Sequence, residues 1–123
     1  MLIMISVPYR SGTGDDPVLI AKNLARLEAM ALPIFEKGHV PVIGEWLALP
    51  LMKLAGSTQT GDAIYDKISY PTAHQLLRSC DAVLRIEGAS KGADKDVEIA
   101  KSLGLEVYFD IADVPVESEV GSS

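Results

Sequence analysis

The 123-residue chain has one cysteine, two histidines and no cluster of lysines or arginines. A single thiol, Cys80, cannot close an internal disulfide, so the expected setting is a reducing cytoplasm. His39 and His74 stand far apart, and neither lies at metal-ligand spacing from Cys80, so neither a metal nor another cofactor is expected. The net charge of −6, with no basic patch, argues against a nucleic-acid polymer as partner, because phosphate neutralisation dominates such binding. A single small anion remains compatible. No apolar run approaches the roughly 20 residues that cross a bilayer, and no membrane partner is expected. Met1–Val7 is apolar but short, without a basic flank or cleavage-site pattern, and reads as a first strand rather than a signal peptide. The glycines near Tyr9 do not fit G-x-G-x-x-G and no Walker lysine follows them, so dinucleotide and triphosphate fingerprints are both missing.

The pattern that is present is that of an α/β domain. A hydrophobic content of 48% is enough for one continuous core at this length, and the expected division is a single domain over 1–112 with an acidic flexible tail over 113–123. Leu2–Val7 is an unbroken apolar run, as in a strand buried on both faces of a parallel sheet. Asp16-Pro17 is a helix start, with Asp as N-cap and Pro at the first helical position. Pro33 should kink that helix and Gly38 should end it, before a second strand at His39–Ile43. Glu45–Leu54, interrupted by Pro50, is either a short irregular helix or a lid. The polar segment Gly56–Asp62 has the composition of a mobile loop, and Ala63–Ser79 reads as a helix kinked or divided at Pro71.

The most informative stretch is Ser79–Phe109, which reads strand, small-residue loop, helix and strand. Ala93, Val97, Ala100 and Leu103 recur at helical spacing and should face the sheet, with Glu98 one residue off that stripe. This places Glu98 near the carboxyl edge of the preceding strand, where ligands bind in open α/β sheets. Its bland reading is a solvated residue paired with Lys95 or Lys101.

The pattern D-A-V-L followed by S-x-G-A-x-x-x-x-E-I-A-x-x-L-G resembles the nucleoside 2-deoxyribosyltransferase-like superfamily, which includes nucleotide N-glycosidases and small bacterial members of unknown function. Ile5-Ser6-Val7-Pro8-Tyr9-Arg10-Ser11-Gly12 looks like its first strand and Pro-Tyr-Arg-Gly type loop, and Glu36–Val42 is similar to its helix end and second strand. Together these segments cover most of residues 1–110. The resemblance implies a flavodoxin-like, three-layer α/β/α fold with a parallel sheet of five strands in order 2-1-3-4-5, Asp81 opening the fourth. It further implies cleavage or transfer at the N-glycosidic bond of a small (deoxy)nucleoside or nucleoside 5′-monophosphate, with Glu98 as nucleophile. The superfamily's acid is usually an Asp eight residues before the strand-opening Asp; here that position is Ala73. Neighbouring His74 is the candidate acid, against the plainer reading of a surface helix residue, with Asp66 and Asp62 as alternatives about one or more helical turns upstream.

Tyr9, Arg10, Ser11 and Gly12 offer a cation, hydroxyls and free backbone before a helix, and Ser90, Gly92 and Asp94 stand at the second loop, so both loops are candidate substrate-binding elements. Arg10 opposite Ser90 would favour a monophosphate. The rival reading is a non-catalytic nucleotide- or metabolite-binding module of the same fold. The apolar segment Trp46–Met52 suggests a homo-oligomer, although Trp46 could instead stack a base.

Overall fold

The computed structural model describes residues 1–6, 9, 12–59, 61–88 and 90–117. The elements run β1 (Leu2–Ser6), α1 (Pro17–Ala29), α2 (Ala31–Glu36), β2 (Val40–Val42), α3 (Gly44–Leu54), α4 (Ala63–Leu77), β3 (Ala82–Arg85), α5 (Lys91–Ser102), β4 (Glu106–Tyr108) and a 3-10 turn at Ile111–Asp113. All strand pairs are parallel, in the order β2-β1-β3-β4. The sheet therefore has four strands among the described residues, not the five expected. The segment between β2 and β3 carries helix formers such as Leu47, Ala48, Leu51 and Met52, with no two-residue alternation, and it folds as α3 and α4.

The sheet is covered on both faces, as the unbroken apolar run of β1 implies. Successive side chains of a strand point to opposite faces. Ile3, Ile5, Ala82 and Leu84 accordingly pack with Leu27 of α1 and Ile34 of α2, while Met4 and Val83 pack with Leu77 of α4 and Ala100 of α5. Three layers result. Asp81 ties the sheet at its opposite end, its Oδ2 accepting from the Leu2 amide at 2.7 Å.

Helix boundaries follow local chemistry. Asp16 caps α1 by accepting from the Val18 amide at 2.9 Å, with Pro17 in the first helical turn. The kink expected at Pro33 is a break three residues earlier. A proline ring clashes with the carbonyl four residues before it, which is Ala29, the last residue of α1. Glu45–Leu54 lies within a helix, with Gly44, Ala48 and Met52 buried on one side and Leu47, Leu51 and Leu54 exposed on the other. Trp46 donates its indole N–H to Glu28 Oε2 at 2.8 Å, joining α3 to α1.

Two segments expected to be loose are tied down. In the polar loop before α4, Asp62 accepts from Ser57 Oγ and from the amides of Thr58, Gln59 and Tyr65, so one carboxylate orders the turn and caps the helix; Thr60 lies outside the described residues. At the carboxyl end, Val114 is fully buried in the core, and Lys37 Nζ donates to its carbonyl at 2.8 Å. His39 Nε2 donates to the Pro115 carbonyl at 2.6 Å, and the Glu117 amide to the Lys37 carbonyl at 2.7 Å. Gly38 makes this docking possible: its φ of +93° suits glycine, and a side chain there would collide with the Glu117 carbonyl. Of the expected flexible tail, residues 118–123 lie outside the described residues.

Candidate functional site

At the carboxyl edge of the sheet, a cavity of about 600 Å³ opens between the end of β1, the loop before α1, the first turns of α3 and α5, and the middle of α4. This is the edge where parallel strands deliver their loops and helix amino termini, and the volume suits a small-molecule ligand. Three carboxylates line it, Asp15 from the loop before α1, Glu45 from α3 and Asp96 from α5, and the last two are shifted.

Asp96 is buried, and its Oδ2 accepts a hydrogen bond from Ser6 Oγ, the last residue of β1, at 2.8 Å. Burial pushes its carboxyl up to about 6, against the Ser6 hydrogen bond and the Arg85 charge, which both pull it down. Glu45 occupies the first turn of α3 and is pushed further, to about 7, mainly by burial. A backbone hydrogen bond at Glu45 itself opposes this rise, and the charge of Asp96 adds to it. Two carboxyl groups with pKa values raised toward neutrality share one cavity, so both titrate in the range where proton transfer is most useful.

Tyrosines supply the aromatic surface. Tyr9 and Tyr65 are buried in one apolar cluster with Ile20, Ala48 and Met52, and Tyr70 lies beside Gly92. The Tyr9 phenol is raised by burial and then by the Glu45 charge, and Asn23 Nδ2 fixes its backbone by donating to the Tyr9 carbonyl at 2.9 Å.

Of the residues expected at the site, Tyr9, Gly12, Ser90 and Gly92 line this cavity. Ser90 also caps α5, its Oγ accepting from the Ala93 amide at 3.1 Å. Arg10 and Ser11 lie outside the described residues. Glu98 and Asp94 are placed elsewhere. Both are exposed and line a second, shallower pocket with Arg85, Gly88 and Phe109, where Glu98 pairs with Lys95 at 3.4 Å and Asp94 with Arg85 at 3.1 Å. Glu98 therefore does not line the cavity that Tyr9, Gly12, Ser90 and Gly92 share, because it points off the other side of α5.

His74 is absent from the described wall of the cavity, whereas its neighbour Ala73 is part of it. Its ring lies 6.1 Å from that of Tyr70, and its Nε2 is buried with no hydrogen-bond partner among the described residues. Burial, and then the Lys95 charge, lower its pKa, which disfavours the protonated form. Cys80 is no nucleophile either: burial pushes its thiol up to about 11, helped by the charge of Asp81. Among the described residues, no group of three or more His, Cys, Asp or Glu is placed to hold a metal ion, and no helix is long and apolar enough to cross a membrane.

Sequence reasoning missed Asp96 although a signal was present. Asp96 lies three residues after Ala93 and four before Ala100, on the same stripe, and the buried residues of α5 are these three. An acidic residue on an otherwise apolar stripe marks a buried carboxylate. Glu45 also carried a signal, an acid placed immediately after a strand end at the ligand-binding edge. No protein-family model matches the chain, and the search of curated proteins finds no match.

Proposed function

We propose that the protein cleaves or transfers at the N-glycosidic bond of a small (deoxy)nucleoside or its 5′-monophosphate, with Asp96 rather than Glu98 as the attacking carboxylate. The observation that carries this reading is the Asp96 side chain, buried in the wall of the cavity and held by Ser6 at 2.8 Å. With a pKa of about 6 it is mostly ionised at neutral pH, and a desolvated carboxylate beside a sugar can attack the anomeric carbon as that carbon gains oxocarbenium character. The tyrosines offer faces for a base. The amino terminus of α5, with Ser90, Lys91 and Gly92 lining the cavity, offers amides and a cation for a phosphate.

The sheet order fits a flavodoxin-like arrangement of the superfamily that the sequence resembles. The exposed face of α3, with Leu47, Leu51 and Leu54, is the surface we assign to a homo-oligomer, which light scattering would register as a mass above that of one chain. The rival reading is a binding module without turnover, favoured by Ala73, which brings only a methyl group where the superfamily's acid is expected. Incubation with ribo- and deoxyribonucleosides and their monophosphates, scored for released base, separates the two. Release supports the enzyme, and saturable binding without release supports the module.

A further inference from the structure

The departing nucleobase needs a proton; Ala73 has none to give, and His74 does not line the described wall of the cavity. We propose that Glu45 is the general acid of this site, giving its proton to the leaving base and taking one from the incoming water. The assignment rests on the glycosidic reading above and adds to it a second catalytic group. The geometry comes from the way α3 meets α4. Gly44 packs closely on Ala73, where an added Cβ would lie 3.7 Å from the Ala73 methyl and 3.8 Å from Met4 Cε. The next residue, Glu45, lines the same cavity as Ala73, the α4 position at which a carboxylate was expected, and as Asp96.

The groups facing it on the described walls explain why it holds a proton. Asp96 from α5 and Asp15 from the loop before α1 are acidic, Tyr9, Tyr65 and Tyr70 are neutral, and Lys91 is the cation. Burial and the Asp96 charge both favour the protonated form, which places the titration near neutrality, where a proton donor is most effective.

The step balances as follows. An Asp96 oxygen forms a bond to C1′, the C1′–N bond breaks with its electron pair going to the base nitrogen, and Glu45 transfers its proton there. Water then adds to C1′ while ionised Glu45 takes its proton. The C1′–Asp96 bond breaks with its electrons returning to the carboxylate, leaving free sugar and base and both side chains in their starting states.

The test compares Glu45→Gln with Asp96→Asn on a nucleoside and on a 4-nitrophenyl riboside, whose leaving group departs without a proton. The proposal expects Glu45→Gln to lose about 100-fold or more on the nucleoside and only a few-fold on the nitrophenyl riboside, with Glu45→Asp recovering part of the loss. It also expects the alkaline limb of the nucleoside pH profile, centred near pH 7, to be missing for the nitrophenyl substrate. Asp96→Asn should lose both activities. Equal losses of Glu45→Gln on the two substrates, or none, overturn the Glu45 assignment while leaving the glycosidic reading intact. A wild-type protein that releases nothing from either substrate overturns both. Circular dichroism of each variant separates a lost fold from a lost proton.

Discussion

Asp96 and Glu98 are two residues apart on one helix, yet they occupy opposite physical worlds. Successive helical residues are about 100° apart, so these two carboxylates project roughly 200° from each other. Asp96 lies over the sheet with Ala93 and Ala100, desolvated and bonded to Ser6. Glu98 stands in solvent beside Lys95. Side-chain chemistry is nearly the same in both. The inward position raises a pKa and desolvates the carboxylate, whereas the outward one yields a screened ion pair.

The largest expected effect separates these two carboxylates by activity. Asp96→Asn should lower base release by about a thousand-fold or more, the scale on which removal of a nucleophile acts, while Glu98→Gln should stay within about two-fold of the wild type. A large loss in Glu98→Gln would reverse the assignment.

The next concerns packing on the same helix. Ala100 is fully buried against Val83 and Leu77, so Ala100→Leu overpacks the core and should cost about 1–3 kcal/mol in denaturant unfolding. Lys101→Leu, on the exposed side, should shift stability by no more than about 0.5 kcal/mol. Equal effects would mean that α5 is rotated from the orientation described.

A pH experiment sharpens the contrast further. In the unfolded chain an Asp titrates near ~3.9. In the fold, Asp96 is raised to about 6, so the folded state holds its proton more tightly and is favoured while that proton is bound. Stability is therefore highest with respect to this group below pH ~4 and falls as pH rises toward 6. Asp96→Asn removes the penalty and should stabilise the protein by about 1–3 kcal/mol at pH 7–8, with the gain fading below pH ~4. A variant less stable than wild type at pH 8 would show that the carboxylate is not desolvated. The smallest effect is the surface pair: Glu98→Gln should cost only a few tenths of a kcal/mol, vanishing in high salt.

Much of this arrangement was legible beforehand where a signal is local. The Asp16-Pro17 start of α1 and the Ser79–Phe109 strand-loop-helix-strand unit depend on neighbouring residues and were read correctly. Glu98 matches a motif, but Asp96 is the acid that shares the stripe of Ala93 and Ala100. Residues 114–117 depart from the expected tail for a different reason. The tail's small, polar and acidic composition is that of a fraying end, but Val114 fills a core position beside Ile34, and Gly38 leaves room for the chain to pass.

By itself the sequence determined the alternation of strands and helices, the strands' burial on both faces and the edge at which loops would gather, because these follow from hydrophobic periodicity and capping within a few residues. Only the tertiary structure decided which acids share the cavity and how far each is desolvated. Asp96 and Glu45 lie on different helices, far apart along the chain, and their raised pKa values come mainly from desolvation, with the Asp96 charge adding to the rise at Glu45, all of which exists only once α3 and α5 close over the same sheet edge.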